Sequence, residues 1–368
     1  MKIKDTQYRS VKLHPDNDKI IQIVDQRWLP HKFIIADLKS VKDVEMAIKD
    51  MWVRGAPLIG ATAAWGMYLA TFEIPAQCSL QFYFEDIYHR LLKTRPTAVN
   101  LKWALDQMMD AVLDNDSIAE TQWYAKTRAQ FICDGDVEIN KKIGEFGLKI
   151  IEEIAAKKNN KPVNILTHCN AGWLATVDLG TATSPLYLAH DKGIKIHVWV
   201  DETRPRNQGA NITAWELLQH EVPHTLIVDN AGGHLMQNGF VDVVIVGTDR
   251  TSVRGDVCNK IGTYLKALAA YDNRIPFYVA APSSSIDFKM RDAFSEIMIE
   301  QRNAAEVKYV QGLHNNEIKS VLIAPSETPA INYAFDITPA KYVTGLITER
   351  GICQPNEEDI LNLFPQKK

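Results

Sequence analysis

The chain has 368 residues, 46% of them apolar and 23% charged, with a formal net charge of −4. This is the balance of an ordinary globular protein, long enough for two domains or for one large domain with an extension. The acidic balance without a long basic run gives no nucleic-acid footprint, and no stretch of about 18 apolar residues offers a membrane span. Five scattered cysteines (Cys78, Cys133, Cys169, Cys258 and Cys353) show neither C-x-x-C pairing nor metal-finger spacing. They argue against a disulfide framework and for a reducing, cytoplasmic setting. The start, Met1 to Tyr8, lacks the apolar core of a signal peptide.

In chain order, residues 8–24 read as strands and 41–51 as a short helix. Residues 56–71 form an apolar, alanine-rich helix with Pro57 in its first turn. Residues 80–93, 100–114 and 137–157 follow with helical spacing. Lys157-Lys158-Asn159-Asn160-Lys161-Pro162 is a polar linker with a proline stop. Beyond it, short β-rich runs (163–167, 194–200, 224–228, 241–246, 277–281 and 342–347) alternate with helical stretches (173–190, 213–219, 232–237 and 260–271). That alternation predicts a parallel sheet with helices on both faces.

In open parallel α/β sheets, ligands bind outside the carboxyl ends of the strands. The segments there are His168-Cys169-Asn170-Ala171-Gly172, Asp201-Glu202-Thr203-Arg204-Pro205, Asp229-Asn230-Ala231-Gly232-Gly233, Gly247-Thr248-Asp249-Arg250 and Pro282-Ser283-Ser284-Ser285. Most carry ionisable groups, and their convergence points to an active site without naming a reaction. Cys169 follows a strand and precedes a glycine and a helical stretch. A helix dipole there would favour a reactive thiolate, whereas a small buried residue at a tight turn is the structural reading. His168 reads as a hydrogen-bonding residue rather than a base. Asp249, after an apolar strand, suits a general acid or base with a raised pKa, or an ordinary turn cap.

Arg54-Gly55-Ala56-Pro57 opens a helix, where free N–H groups and an arginine make either an anion site suited to phosphate or an ordinary helix entry with an exposed arginine. Thr94-Arg95-Pro96-Thr97 reads as a second capped helix start with an arginine. Cys258-Asn259-Lys260 reads as another helix opening, with a lysine that is either an ordinary surface lysine, the usual case, or one able to hold a phosphate or a sugar oxygen. The arginines of 201–209 read as loop-shaping ion-pair partners, and Gln208 as a group able to reach a sugar hydroxyl. No G-x-G-x-x-G or Walker loop supports a nucleotide cofactor. Pro223, between His220 and His224, argues against a metal pair on one helix face. No cofactor and no metal are expected.

Several longer motifs carry a resemblance. Thr167-His168-Cys169-Asn170-Ala171-Gly172-Trp173-Leu174-Ala175-Thr176 resembles a segment of the methylthioribose-1-phosphate isomerases. So do Asp201 to Pro205 with Gln208-Gly209-Ala210 and Thr213 to Leu217, Gly247 to Arg250, and Gly255 to Tyr264. Asp25 to Pro30, Arg54 to Pro57 and Ala334 to Pro339 extend the match over most of the chain. The wider family includes ribose-1,5-bisphosphate isomerases and non-enzymatic regulatory subunits of a translation initiation factor's exchange factor.

The resemblance implies an N-terminal mainly helical domain (1–158) and a Rossmann-like α/β domain (159–368), acting as a homodimer on a small sugar phosphate, with no nucleic-acid or membrane partner. It implies conversion of 5-methylthioribose 1-phosphate to 5-methylthioribulose 1-phosphate in methionine salvage. It makes Cys169 and Asp249 the catalytic pair and gives Arg54, Gly55, Ala56, Arg95, Gln208, Asn259 and Lys260 to the substrate. Residues 228–234 and 282–288 depart from the family pattern, the latter running into a divergent stretch; both are expected near the sugar's 5-substituent. The alternatives are isomerisation of 5-deoxyribose 1-phosphate or ribose 1,5-bisphosphate, and a regulatory binding protein, which would need neither Cys169 nor Asp249. A cysteine hydrolase lacks an evident His–Asp arrangement.

Overall fold

The structure is a computed structural model that describes residues 1–3, 6–95, 99–113 and 115–367. An antiparallel meander of Val11–His14, Asn17–Val24 and Ile35–Leu38 leads into five helices. These are α1 (Val41–Lys49), α2 (Ala56–Ala70), α3 (Leu80–Thr94), α4 (Val99–Val112) and α5 (Ile118–Ala156). Ser40 caps α1 by accepting from the Asp43 N–H at 3.1 Å. Helix α2 is apolar on every side, so it can only be central. It is buried along nearly its whole length, among Val44, Phe84, Leu105 and Ile132 of the surrounding helices.

Helix α5 is far longer than the sequence pattern of 137–157 suggests. Along its first half the buried face is built from small residues, Thr121, Ala125 and Ala129, while Trp123, Tyr124 and Phe131 face outward. Hydrophobic contrast is inverted there, so the spacing hides the helix. Its second half leaves the first core. Ile143, Leu148, Ile150 and Ile151 pack with Val163, Ile165, Leu186 and Val198 beneath the main sheet. Asp114, the end of the expected fourth helix, lies outside the described residues.

The main sheet has seven strands in the spatial order Gly351–Cys353, Gly345–Thr348, Phe277–Ala280, Val243–Val246, Val163–Thr167, Ile196–Asp201 and His224–Ile227. All pair in parallel except Gly351–Cys353 at one edge. The chain starts at Val163–Thr167, steps outward through two strands, then returns to its other side with Val243–Val246. This is the doubly wound order, with its topological switch point between those two inner strands. The expected α/β class, with a helical N-terminal region and a Rossmann-like parallel sheet, is what the fold shows. A second face of the sheet is covered through Val244, Ala267, Phe277, Leu346 and Phe364. A smaller sheet of Ile286–Asp287, Arg250–Ser252, Val257–Lys260 and Phe335–Thr338 sits beside the carboxyl edge, and Tyr309–His314 pairs with Glu317–Leu322 as a hairpin. Among the described residues no helix is long and apolar enough to cross a membrane.

Two expected helices are shorter than their apolar patterns. In 173–190, a 3₁₀ turn at Trp173–Ala175 gives way to a loop, and the α-helix is only Ser184–Asp191. Gly180, at φ 77°, turns the chain where a helix cannot continue. In 260–271, Lys260 ends the strand Val257–Lys260, Gly262 takes φ 102°, and the helix is Thr263–Asp272.

Because α5 supplies side chains to both cores, truncating it under the sheet tests their union. Ile151→Ala removes a fully buried side chain and is expected to lower the unfolding free energy by about 2–5 kcal/mol in urea titration. A loss below about 1 kcal/mol contradicts this packing.

Candidate active site

Every residue singled out above lines one cleft at the carboxyl edge: Arg54, Gly55, Ala56, Arg95, Cys169, Gln208, Asp249, Asn259 and Lys260. The topology explains how distant segments meet. Cys169 and Asp249 leave the two inner strands on either side of the switch point, so their loops flank the opening that the reversal creates. The start of α2 closes it from the N-terminal side. Gly55 has φ 88°, and a Cβ there would lie 2.4 Å from the Ala175 carbonyl oxygen, so only glycine lets the helix approach the loop after Cys169 so closely.

The polar groups of the cleft are unevenly satisfied. The Arg54 guanidinium donates to the Asn170 backbone oxygen from both terminal nitrogens, at 3.2 and 3.0 Å, and also to Asn170 Oδ1. Its Nε is buried without a protein partner, as are Arg95 Nε and Nη1 and Gln208 Oε1. Buried polar atoms left so cost free energy unless a ligand satisfies them. Arg95 reaches Glu300 only at 3.9 Å. The Lys260 ammonium donates to the Ala334 carbonyl at 2.9 Å and lies 4.6 Å from the Phe335 ring centre. Burial lowers its pKa, with the nearby Asp249 carboxyl opposing the shift. Burial raises the Asp249 carboxyl above the usual range; Lys260, Arg95 and Arg54 pull it back down only in part. The arrangement can therefore hold a dianionic group beside a carboxyl whose neutral form burial favours.

Cys169 does not stand at a helix N-terminus, because the loop to Ser184 intervenes; the dipole argument does not apply to it. Instead it takes φ 65°, a left-handed conformation uncommon for a side-chain-bearing residue. Its N–H donates to Thr203 Oγ1 at 2.8 Å and its carbonyl accepts from Thr213 Oγ1 at 2.6 Å, so the strained turn is pinned from two sides. Asn259 and Lys260 lie on a strand rather than opening a helix. Arg95 caps the end of α3; Pro96 and Thr97, the rest of its motif, lie outside the described residues.

Glu216, which spacing alone did not mark, is the hub of the cleft floor. It is fully buried. Its Oε1 accepts from the Leu174 N–H at 2.9 Å and Asn170 Nδ2 at 3.0 Å, and its Oε2 from the Tyr187 hydroxyl at 3.1 Å. A Cβ on Gly172 would collide with it at 1.7 Å. Its sequence signals were a lone acid inside an otherwise apolar stretch, Ala214-Trp215-Glu216-Leu217-Leu218, and its place in the Thr213 to Leu217 motif, which carried a resemblance but no role for it.

A His–Asp pair does exist: His168 Nδ1 lies 2.8 Å from Asp201 Oδ2. Its Nε2 meets the Ile261 carbonyl at 2.8 Å, so both ring nitrogens are engaged and neither is free to serve as a base for Cys169. His168, Asp201 and Asp229 lie close enough together to suggest a cation site, but the Lys266 ammonium already stands 3.1 Å from Asp201 Oδ2. Of the two divergent loops, Pro282 and Ser285 line the cleft. Residues 228–234 do not, because the Asp229 carboxylate turns to accept from the Thr203 and Arg204 N–H groups at 2.7 and 2.8 Å. Arg206 pairs with Glu306 at 2.7 Å as a loop-shaping arginine, whereas Arg204 donates to backbone oxygens instead of a carboxylate, Val307 among them.

Comparison with known proteins agrees with this architecture. The model of the Initiation factor 2 subunit family matches residues 52–355. The methylthioribose-1-phosphate isomerase of Rhizobium meliloti (strain 1021) is 56% identical over the full length of both chains, and that of Cereibacter sphaeroides is 57% identical over 100% of this chain and 98% of its own. Among solved structures, the 5-methylthioribose 1-phosphate isomerase of Pyrococcus horikoshii OT3 superposes with a TM-score of 0.83 at 40% identity, with complete coverage of both chains. The delta subunit of translation initiation factor eIF-2B from A. fulgidus follows at 0.80 and 36%, covering 98% of this chain and all of its own. The chain belongs to the Initiation factor 2 subunit family, on its methylthioribose-1-phosphate isomerase branch.

The buried hub carries a pH signature. Burial pushes the Glu216 carboxyl up to about 7 from an ordinary 4.5. The unfolded chain loses this proton first, so stability is fullest below the unfolded pKa and falls as pH rises towards 7. Glu216→Gln keeps the shape and removes the titration. Urea midpoints of the parent are expected to drop relative to the variant between pH 4.5 and 7.5. Asp136, also raised to about 7 by burial, is common to both and cancels. Parallel curves contradict the assignment.

Proposed function

We propose that this chain is an aldose–ketose isomerase converting 5-methylthioribose 1-phosphate to 5-methylthioribulose 1-phosphate, a step of methionine salvage. The full-length isomerase relatives carry this reading, since their 54–57% identity exceeds the 36% of the initiation-factor subunit. Retention of Cys169 and Asp249 in one cleft supports the enzyme over a pure binder.

Phosphate on C1 blocks the free aldehyde, so the ring must open with the phosphate in place. Arg54, Arg95 and the N–H groups at the start of α2 hold the dianion. Asp249, whose neutral form burial favours, gives its proton to the ring oxygen as the C1–O bond breaks, leaving C1 electron-poor. Cys169 takes the C2 proton, giving an enol of the phosphorylated sugar. The O2 proton returns to the Asp249 carboxylate as the C2 carbonyl forms, and the Cys169 proton is delivered to C1. Gln208 and Asn259 orient the hydroxyls, with Lys260 holding a sugar oxygen beside both catalytic groups. Every proton given is recovered, so no co-reactant is needed. Homodimeric assembly and a cytoplasmic setting belong to the same reading; light scattering of the purified protein at twice the chain mass supports the first.

The test is ketose formation from 5-methylthioribose 1-phosphate by the purified protein. No ketose from it, from 5-deoxyribose 1-phosphate or from ribose 1,5-bisphosphate favours a binding protein. Cys169→Ser and Asp249→Asn are each expected to lower kcat by about 10²–10⁴-fold with the fold intact, and near-normal turnover in either removes that residue from the mechanism. Because Asp249 acts as an acid, the rate is expected to fall as pH rises through its raised pKa, a limb absent in Asp249→Asn. Deuterium placed on C2 is expected to wash out partly to solvent. Complete retention at C1 instead indicates a direct hydride shift, with Cys169 reduced to polarising the site.

A further inference from the structure

We infer that Gln26 is a positioning residue for the phosphate cradle, tying together the two walls between which the dianion sits; this rests on the reading above that the start of α2 holds the phosphate. Gln26 is buried and does not line the cleft, but both of its partners adjoin residues that do. Its backbone N–H donates to the Trp52 carbonyl at 2.9 Å, two residues before Arg54. Its side-chain Nε2 donates to the Leu174 carbonyl at 2.7 Å, one residue before Ala175, the residue against which Gly55 is pressed. One residue thus reaches both the entry to α2 and the loop after Cys169.

The chemistry of the amide fixes its orientation. A carbonyl oxygen can only accept, so Gln26 must present its NH2 group to Leu174. Its Oε1 is then left buried without a protein partner, which costs stability. The backbone beneath it is stiff. Asp25 accepts from the Arg27 N–H at 3.1 Å, from Arg27 Nε and Nη2 at 2.9 and 2.7 Å and from Trp28 Nε1 at 3.0 Å. The Arg27 guanidinium in turn lies 4.0 Å from the Trp52 ring centre. On the far side, Glu216 holds the Leu174 N–H, so Leu174 is gripped from the N-terminal layer and from the sheet domain at once. The separation of these walls decides whether the Arg54 guanidinium and the N–H groups at the start of α2 converge on one phosphate. That phosphate stays on C1 throughout the reaction. A looser cradle therefore weakens the ground state and the transition state alike, and the loss falls on KM rather than on kcat.

Steady-state kinetics with 5-methylthioribose 1-phosphate, beside calorimetric titration with inorganic phosphate, test this on the parent, Gln26→Met, Gln26→Asn and Ser10→Ala. Gln26→Met keeps the length and removes the donor. It is expected to raise KM and the phosphate dissociation constant together by about 3–30-fold, between the worth of one hydrogen bond and the cost of a displaced binding group. Its kcat is expected to stay within about twofold of the parent, the signature of lost uniform binding. Gln26→Asn keeps an amide but falls one methylene short of Leu174; it is expected to show the same split and reports if Gln26→Met misfolds by circular dichroism. Ser10 is the control. Its hydroxyl donates to the Trp173 carbonyl at 2.8 Å and its N–H to the Val177 carbonyl at 3.0 Å, so it anchors the same loop without reaching the start of α2. Ser10→Ala is expected to leave KM and phosphate affinity near the parent's. A fall in kcat alone, as from a smaller folded fraction, overturns the positioning role, and so does an equal rise in KM in Ser10→Ala. The phosphate titration needs no turnover. If the parent binds phosphate but forms no ketose, the isomerase reading fails, and weaker phosphate binding in the Gln26 variants still supports the role. A parent that does not bind phosphate overturns it.

Discussion

The grip of Asn170 on Arg54 is the contact on which the cleft depends. One residue of the loop after the inner strand Val163–Thr167 offers its backbone carbonyl and its side-chain oxygen to one guanidinium from the start of α2. That joins the helical N-terminal layer to the carboxyl edge of the sheet with a charge-assisted, multi-point bond whose geometry leaves little freedom. Asn170 is in turn held by Glu216 and Thr213, and Glu216 by the Leu174 N–H and Tyr187. The network runs from the core outward to the cation, so rigidity is inherited from a fully packed interior rather than supplied by the loop itself.

Much of this was legible in the sequence, and the failures have physical reasons. Strands such as Val163–Thr167 announce themselves because a strand covered on both faces is a continuous β-branched, apolar run. The first half of α5 is concealed because its inner face needs small residues to pack closely while large aromatics point outward. Position after a strand was enough to bring Cys169, Asp249 and Gln208 into view. It misjudged how they are held: Cys169 by a left-handed turn pinned by two threonines, Asn259 and Lys260 by a strand of the second sheet. Glu216 escaped because a residue that works through hydrogen bonds to backbone and amide leaves no spacing motif. His168 and Asp201 are separated by 33 residues, and only the parallel pairing of their strands brings them together.

The electrostatics of the cleft follow from concentration rather than from overall charge. The chain is net acidic, yet Arg54, Arg95 and Lys260 converge on one small space, and only part of their hydrogen-bonding capacity is used by protein. Burying cations without full compensation is costly, and such a cost is tolerated where a ligand of opposite charge completes the set. The same cations lower the Asp249 pKa that burial raises. On the proposed reading, a phosphate dianion seated on Arg54 and Arg95 cancels two of the three charges opposing protonation and adds negative charge nearby. Its arrival therefore strengthens the proton hold on Asp249 at the moment an acid is required, and departure of the product relaxes it. Binding and acid catalysis are coupled on this reading through one set of side chains, which is why the arginines of the cleft are left incompletely paired by protein.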